Sequence, residues 1–322
     1  MSFQNEKKIV QDYYKMLAED AERAVERYMD DTVIWRGFHP FDILSKDQVA
    51  TRFWQPLQNA IHSMQRREDI FFAGDNSLEQ GGVWVVSMGH LMGLFDAPWL
   101  GIKPTNKIVM LRYCEFSRVD GDKITEQAMY FDIPHLMAQA GQNPFPTGTA
   151  EQLVQPGPRG GRGVLLEDAP ASEGVDTLAS INAMISDLGQ WDHPLPLEEE
   201  LRLTWNEDML WWGPTGIGAT YTVPRYAQQH SGPFRATFTD RTTTGHIARL
   251  AEGHFGGFFG WPNFKARAVK PLLGLEPTED LVEVRVIDIY RREGAKLAEN
   301  WIFIDMLHYA KQMGRDVLGE LS

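Results

Sequence analysis

The feature that most constrains the fold of this chain is an internal repeat. Residues 121–141 and 294–314 align without a gap at an offset of 173 positions, and glycine, lysine, glutamate, aspartate, histidine and glutamine coincide in the two copies. The same offset aligns residues 100–105 with 273–278. A chain with such a repeat contains two copies of one structural unit.

Earlier blocks repeat as well, at other offsets. Residues 89–98 match 253–262 at an offset of 164, and residues 35–37 match 211–213 at 176. Offsets that change between blocks indicate insertions and deletions, which fall in loops. Between the copies the chain is rich in proline and glycine, which predicts a flexible linker. The predicted organisation is a first domain at 1–145, a linker at 146–171 and a second domain at 172–322.

Each copy begins with helices and continues with strands. Apolar residues recur at helical spacing near the start of each copy, and alternating runs such as 108–116 and 281–290 follow later. Helices first and strands later within one domain are typical of an α+β fold. A curved antiparallel sheet wrapped over the helices would form a cone with an apolar mouth.

Charge and composition exclude several classes of partner. The chain has 31 basic and 44 acidic residues, a formal charge of −13, which opposes binding to nucleic acid. No run of apolar residues is long enough to cross a membrane. The lone Cys114 excludes an intrachain disulfide, and the first residues lack the apolar run of a signal peptide. We therefore expect a cytoplasmic protein.

The end of the repeated segment places a carboxylate beside aromatic residues. Side chains of one parity share a face of a strand. Two such rows end in aspartate: Glu126, Ala128, Tyr130 and Asp132 in the first copy, and Glu299, Trp301, Phe303 and Asp305 in the second. In a closed apolar pocket, desolvation would raise the pKa of such an aspartate towards neutrality and suit it to acid/base catalysis. Alternatively, each aspartate caps the helix that follows it.

The second row is the more apolar, so Asp305 is the stronger catalytic candidate and Asp132 the weaker. His90 and His254, next to repeated glycines, are either pocket or packing residues, and as pocket residues they would approach the two aspartates. The predicted substrate-binding wall is aromatic and consists of Trp35, Tyr130, Trp211, Trp212, Trp301 and Phe303. Motifs for metal, nucleotide or serine-nucleophile chemistry are missing, so neither metal nor cofactor is expected.

Several of these residues carry a resemblance to a known family. The sequence is similar to the SnoaL-like polyketide cyclases, the ester-cyclase branch of the nuclear-transport-factor-2-like (NTF2-like) superfamily. In the first copy the similarity runs through Gly93, Phe95, Leu100, Gly101, Pro104, Thr105, Lys107, Lys123, Glu126, Asp132, Gln139 and Gly141. The second copy keeps about the same pattern, so the resemblance covers each half nearly from end to end.

The resemblance implies two cones packed sheet against sheet as a pseudo-dimer within one chain, and allows further association into a homo-oligomer. It also implies acid/base chemistry by a carboxylate without a cofactor, on a small apolar or aromatic carbonyl compound. Asp132 and Asp305 match the aspartate that the family uses for an intramolecular aldol closure.

Other functions remain open at this point. The fold could serve as a binding module, or one cone could be active while the other completes the pseudo-dimer. An epoxide-hydrolase-like enzyme would need a relay of arginine and carboxylates. Arg112 with Glu115, and Arg285 with Asp288, are the candidates for such a relay.

Overall fold

The computed structural model describes residues 2–150, 154–190 and 193–321. The first unit contains two N-terminal helices, a broken helical segment between short and long strands, and a C-terminal helix. Its elements are α1 (Gln4–Glu19), α2 (Ala21–Tyr28), β1 (Met29–Gly37), β2 (Asp42–Leu44), α3 (Lys46–Gln48), a π-helical turn (Val49–Trp54), α4 (Gln55–Ala60), β3 (Ile61–Asp75), β4 (Val83–Phe95), β5 (Lys107–Asp120), β6 (Lys123–Phe131) and α5 (Ile133–Gln139).

The second unit repeats this order with one additional strand. Its elements are α6 (Ala171–Gly189), α7 (Leu197–Thr204), β7 (Trp205–Trp212), β8 (Ala219–Tyr221), α8 (Val223–Tyr226), a π-helical turn (Ala227–Ser231), α9 (Gly232–Thr237), β9 (Phe238–Thr243), β10 (Ala248–Glu252), β11 (Phe255–Ala268), β12 (Leu281–Glu293), β13 (Lys296–Ile304) and α10 (Met306–Gln312). A short 3₁₀ turn (Gly319–Leu321) follows.

The two sheets have the same strand order. It is β2-β1-β6-β5-β4-β3 in the first unit and β8-β7-β13-β12-β11-β10 in the second, where β9 also pairs with β11. Neighbouring strands are antiparallel except for the pairs β1–β6 and β7–β13, which are parallel. The predicted fold class is thus confirmed: the chain contains two α+β cones of the same strand order.

Amphipathic helices cover the inner face of each sheet. In α1, Val10, Tyr13 and Leu17 are buried and lie three or four positions apart, the spacing of one helix face. Asp20 separates α1 from α2 and caps the second helix, because its side chain accepts a hydrogen bond from the Arg23 amide at 3.0 Å. The helices therefore close one face of the sheet into a cone.

The outer faces of the two sheets pack against each other. One buried cluster takes residues from both sheets, and within it the ring of Phe259 lies 5.4 Å from that of Trp84 and 5.2 Å from that of Phe116. The Tyr130 hydroxyl donates to the Gly260 carbonyl across this interface at 3.1 Å. The cones form the expected pseudo-dimer, sheet against sheet, because each sheet has two apolar faces to bury.

The segment between the cones is bound to both of them. The Phe71 amide of β3 donates to the Gly163 carbonyl at 2.9 Å, and the Trp301 indole of β13 donates to the Pro156 carbonyl at 3.0 Å. The Arg159 amide donates to Glu299 at 2.9 Å. Polar backbone groups of the described part of this segment thus pair with the sheets, whereas the flexibility of the linker stays a prediction.

A buried ion pair also joins the units. Lys7 of α1 lies 2.6 Å from Glu252 of β10, and both side chains are about 3% exposed. Glu252 also accepts hydrogen bonds from the amides of Ala73 and Ala169, so its charge is fully compensated. Within the described residues, no helix is both long enough and apolar enough to cross a membrane.

Candidate active site

The second cone encloses a cavity of about 190 Å³ between its helices and the inner face of its sheet. Most of the wall is apolar, with side chains from α6, β7, β11, β12 and β13. Representative wall residues are Leu188, Trp211, Phe258, Val286 and Ile302. Apolar walls with a few polar groups are typical of small-molecule sites.

Asp288 is one of three carboxylic residues that line this cavity, together with Asp187 and Glu200. It lies on β12, where side chains of even number face the cavity, and it accepts a hydrogen bond from the Asn300 amide of β13 at 3.0 Å. The Tyr290 hydroxyl is a second hydrogen-bond partner. Burial raises the pKa of Asp288 to about 7, and the bonds from Asn300 and Tyr290 only partly offset that effect. A carboxyl of this pKa can both accept and return a proton near neutral pH.

Two histidines of the cavity are held uncharged. His230 stacks on Trp211 with ring centroids 3.9 Å apart, and His246 stacks on Phe258 at 4.0 Å. Burial lowers the pKa of each imidazole to about 3. These rings therefore contribute neutral surface and do not compensate a charge on Asp288.

The three arginines of the wall contact groups other than Asp288, and Arg241 donates to the Leu188 carbonyl at 3.3 Å. Arg235 binds Glu200 through two hydrogen bonds of 2.9 and 2.5 Å, and the Arg249 guanidinium contacts Asn182 and His246. Asp288 has no ion pair among the described residues. Its ionised form is consequently disfavoured, as the raised pKa reflects.

In the first cone the matching position has a different environment. Glu115 corresponds to Asp288 at the offset of 173. It lies 3.2 Å from Arg66 and accepts hydrogen bonds from Tyr14, Ser117 and Gln127. The Arg66 guanidinium lies 3.8 Å from the centre of the Tyr14 ring. This network occupies the interior of the first cone, where a buried charge needs such compensation.

The two predicted catalytic aspartates lie between the units. Asp132 accepts hydrogen bonds from the amides of His135 and Thr215, and Asp305 from those of His308 and His39. One partner of each is in the following helix, so the helix-cap interpretation is correct, and the other is in the opposite cone. Burial raises the pKa of Asp305 to about 6.

Asp132 also lines a second cavity of about 260 Å³, together with Arg112, His135, Gln155 and the turn after β7. Asp305 lines neither cavity described here. The catalytic roles of both aspartates therefore remain predictions.

The predicted histidines are not placed as expected. His90 hydrogen-bonds to Asp69 at 3.1 Å on the outer face of the first sheet. His254 lies in the turn between β10 and β11, has a 55% exposed side chain and sits near Glu173. A shift of one residue along a strand moves a side chain to the other face of the sheet. His90 therefore lies on the outer face, and His254 lies in a turn outside the sheet.

The predicted aromatic wall divides into three groups. Tyr130, Trp301 and Phe303 lie in the core between the sheets, which corrects the expectation that their row faces a pocket. Trp35 is in the filled core of the first cone. Trp211 lines the cavity of the second cone, and Trp212 lines the cavity near Asp132.

The predicted relays do not form. Arg285 contacts Asp42, Asp305 and the ring of Trp261, whereas Asp288 points into the cone. Arg112 donates to backbone carbonyls of the second unit, while Glu115 lies inside the first cone. Residues three positions apart on a strand face opposite sides, so neither pair can act together.

The sequence motifs do not single out the polar groups of the cavity. Asp288 stands out only as a partner of Arg285, and Asn300 and His230 do not stand out. The available signal was a carboxylate inside the apolar strand run 281–290, repeated as Glu115 in the first copy. A charged residue on the face of a buried strand indicates either a network or a site.

Solved structures similar to this chain cover about the length of one cone. An NTF2-like protein from Burkholderia xenovorans LB400 is 14% identical with a TM-score of 0.34, and the match covers 43% of this chain and 95% of that one. A protein described as a SnoaL-like polyketide cyclase from Jannaschia sp. CCS1 is 17% identical with a TM-score of 0.34, covering 43% and 92%.

A steroid delta-isomerase from Pseudomonas aeruginosa is 15% identical with a TM-score of 0.29, and the match covers 45% of this chain and 94% of that one. No family model and no curated protein matches the chain. Each of these three structures matches less than half of this chain.

Proposed function

We propose that the second cone is the active site of an acid/base enzyme that acts on a small apolar carbonyl compound without a cofactor, with Asp288 as the proton carrier. The observation that carries this proposal is a carboxyl with a pKa of about 7 in an apolar cavity. A general base of this pKa is matched to work at neutral pH. The cavity volume suits a compact substrate.

The proposed reaction begins with ionised Asp288. Its carboxylate takes a proton from the carbon next to the substrate carbonyl, and the electron pair moves onto the carbonyl oxygen as an enolate. Asn300 holds the carboxyl through its hydrogen bond. The Tyr226 hydroxyl, on the same cavity wall, is the donor we assign to the enolate oxygen. The proton then returns to a second carbon in an isomerisation, or to the oxygen formed when the enolate closes onto another carbonyl.

Hydrogen–deuterium exchange tests this step without knowledge of the natural substrate. Small cyclic and aromatic ketones are incubated with the protein in D₂O, and loss of the α-proton signal is followed by proton NMR. We expect the wild type to accelerate exchange for at least one of them. Asp288→Asn should slow that exchange by about 100-fold or more, since the amide cannot accept the proton. Glu115→Gln, the matched change in the first cone, should leave it unchanged.

The same assay tests the aspartates favoured by the sequence. If Asp305→Asn or Asp132→Asn stops exchange while Asp288→Asn does not, the chemistry belongs between the units and the assignment of Asp288 is wrong. A binding module is the alternative that fits the same cavity. It would bind a ketone, detected by quenching of tryptophan fluorescence, without exchange in the wild type.

A further inference from the structure

Three potential metal ligands meet where the two cones join. His39 belongs to the turn between β1 and β2 of the first unit, Asp42 is the first residue of β2, and His308 belongs to α10 of the second unit. One ligand atom of each lies within 4.8 Å of the others. The Nδ1 atom of His39 is 3.8 Å from Oδ2 of Asp42. The residues are up to 269 positions apart, so the fold alone brings them together.

Asp305 fixes the backbone of both histidines. Its Oδ2 atom accepts from the His39 amide at 3.0 Å, and its Oδ1 atom accepts from the His308 amide at 3.2 Å. Arg285 donates to Oδ1 of Asp42 at 2.6 Å, which leaves Oδ2 towards His39. Hydrogen bonds from neighbouring residues to metal ligands orient these ligands and influence the metal affinity.

The His308 imidazole has a ring nitrogen that is available to a metal ion. Its Nε2 atom is buried, has no hydrogen-bond partner among the described residues and lies 3.9 Å from Oε2 of Glu283. A buried ring nitrogen without a partner beside a carboxylate is a suitable position for a cation.

The local charge also favours a cation. Asp42, Asp305 and Glu283 supply three negative charges. Two positive charges lie among them, Arg285 on Asp42 and Lys265 on Glu283. One negative charge is therefore left for a bound ion to compensate.

We propose that His39, Asp42 and His308 bind one divalent transition-metal ion of the zinc class, which links the two cones. Two imidazoles and one carboxylate are a common ligand set for such ions, and Glu283 or water can complete the coordination. The site is separate from the cavity of Asp288 and does not depend on the proposed activity.

The pseudo-symmetric position supplies an internal control. There, Asp132 holds the amides of His135 and Thr215 in the same way. At the offset of 176, however, Thr215 replaces His39 and Gly218 replaces Asp42. In the described part of the chain the cluster is therefore present on only one side of the pseudo-dimer, and one ion per chain is expected.

Calorimetric titration of the tag-free, chelator-treated chain with ZnCl₂ tests the proposal. The wild type should bind one Zn²⁺ per chain, and His39→Ala and His308→Ala should each weaken binding by about tenfold or more. His135→Ala, the matched variant on the other side, should bind as the wild type does.

Circular dichroism of the metal-free variants shows whether they fold, and Asp42→Asn replaces any variant that does not. CoCl₂ provides a second readout, because the visible absorption of bound Co²⁺ should be lost in the same variants. Absence of Zn²⁺ binding by the wild type overturns the proposal, and so does unchanged binding by the folded variants.

Discussion

Both cones have a carboxylic residue at the same position of the equivalent strand, but its contacts differ between the two. In the first cone, Glu115 is ion-paired with Arg66 and bonded by Gln127. In the second cone, Asp288 keeps the matching amide bond from Asn300 but has no arginine beside it among the described residues, and its pKa rises to about 7. The carboxylate paired with an arginine thus lies in a filled interior, and the one without an arginine lines a cavity.

This difference shows how a single fold can hold a buried carboxyl in two electrostatic environments. A buried carboxylate that is paired and hydrogen-bonded stays ionised and serves packing. A buried carboxyl without a cation is protonated over a wider pH range and becomes able to exchange its proton. The duplicated chain contains one cone of each kind.

The largest expected effect comes from removing the arginine of the first cone. Arg66→Met leaves Glu115 buried without its cation, which should lower the free energy of unfolding by about 3–5 kcal/mol. Urea denaturation at pH 7 measures the change.

The double variant Arg66→Met/Glu115→Gln is the control for this prediction. Removal of both charges should recover most of the loss, since an uncharged pair has no desolvated ion to compensate. A single variant as stable as the wild type would show that the network does not support the first cone.

Loss of the Asp288 carboxyl should stabilise the second cone, whereas loss of Arg66 should destabilise the first. The folded-state pKa of Asp288 is about 7, above its ordinary value of 3.8. Between pH 4 and 7 the folded state therefore holds more protons than the unfolded state, and wild-type stability falls as the pH rises. Asp288→Asn removes this loss.

The stability difference between Asp288→Asn and the wild type should accordingly grow in favour of the variant from pH 4 to pH 7, by a few kcal/mol, and then stay constant. Thermal unfolding across this pH range checks the trend. Glu115→Gln, with an ion pair to lose, should destabilise the first cone at pH 7. A pH-independent difference for Asp288→Asn contradicts the comparison.

The smallest effect is expected from adding volume. Ile302 lines the cavity of the second cone, whereas Met129 at the matching position lies in the packed core of the first. Ile302→Phe should change the free energy of unfolding by less than about 1 kcal/mol, and Met129→Phe should cost about 1–3 kcal/mol. Equal costs in urea denaturation would mean that the cavity cannot accept a larger side chain.

The repeat made the architecture predictable. Two copies of one block pattern required two units of one strand order, and the sheets have that order. Helical spacing at the start of each copy predicted the helices that close the cones, because burial of one face dictates such spacing.

The site was less predictable because both faces of each sheet are buried. Alternation along β13 separates Trp301 and Phe303 from Asn300 and Ile302, but it does not say which set faces the cone. The larger aromatic residues suggested a pocket and instead fill the contact between the sheets. The cluster of His39, Asp42 and His308 depends on how the cones dock, which no local pattern encodes.

The segment between the cones joins them within one chain, so the pseudo-dimer cannot dissociate into separate subunits. This has a genetic consequence. In a dimer of identical chains every substitution occurs twice, so a change that helps one side acts on the other as well. Here the linker contacts through Pro156, Arg159 and Gly163 hold two separately encoded copies together. A mutation can therefore alter one cone and leave the other unchanged. A change that only one cone tolerates can persist, because the two cones stay joined.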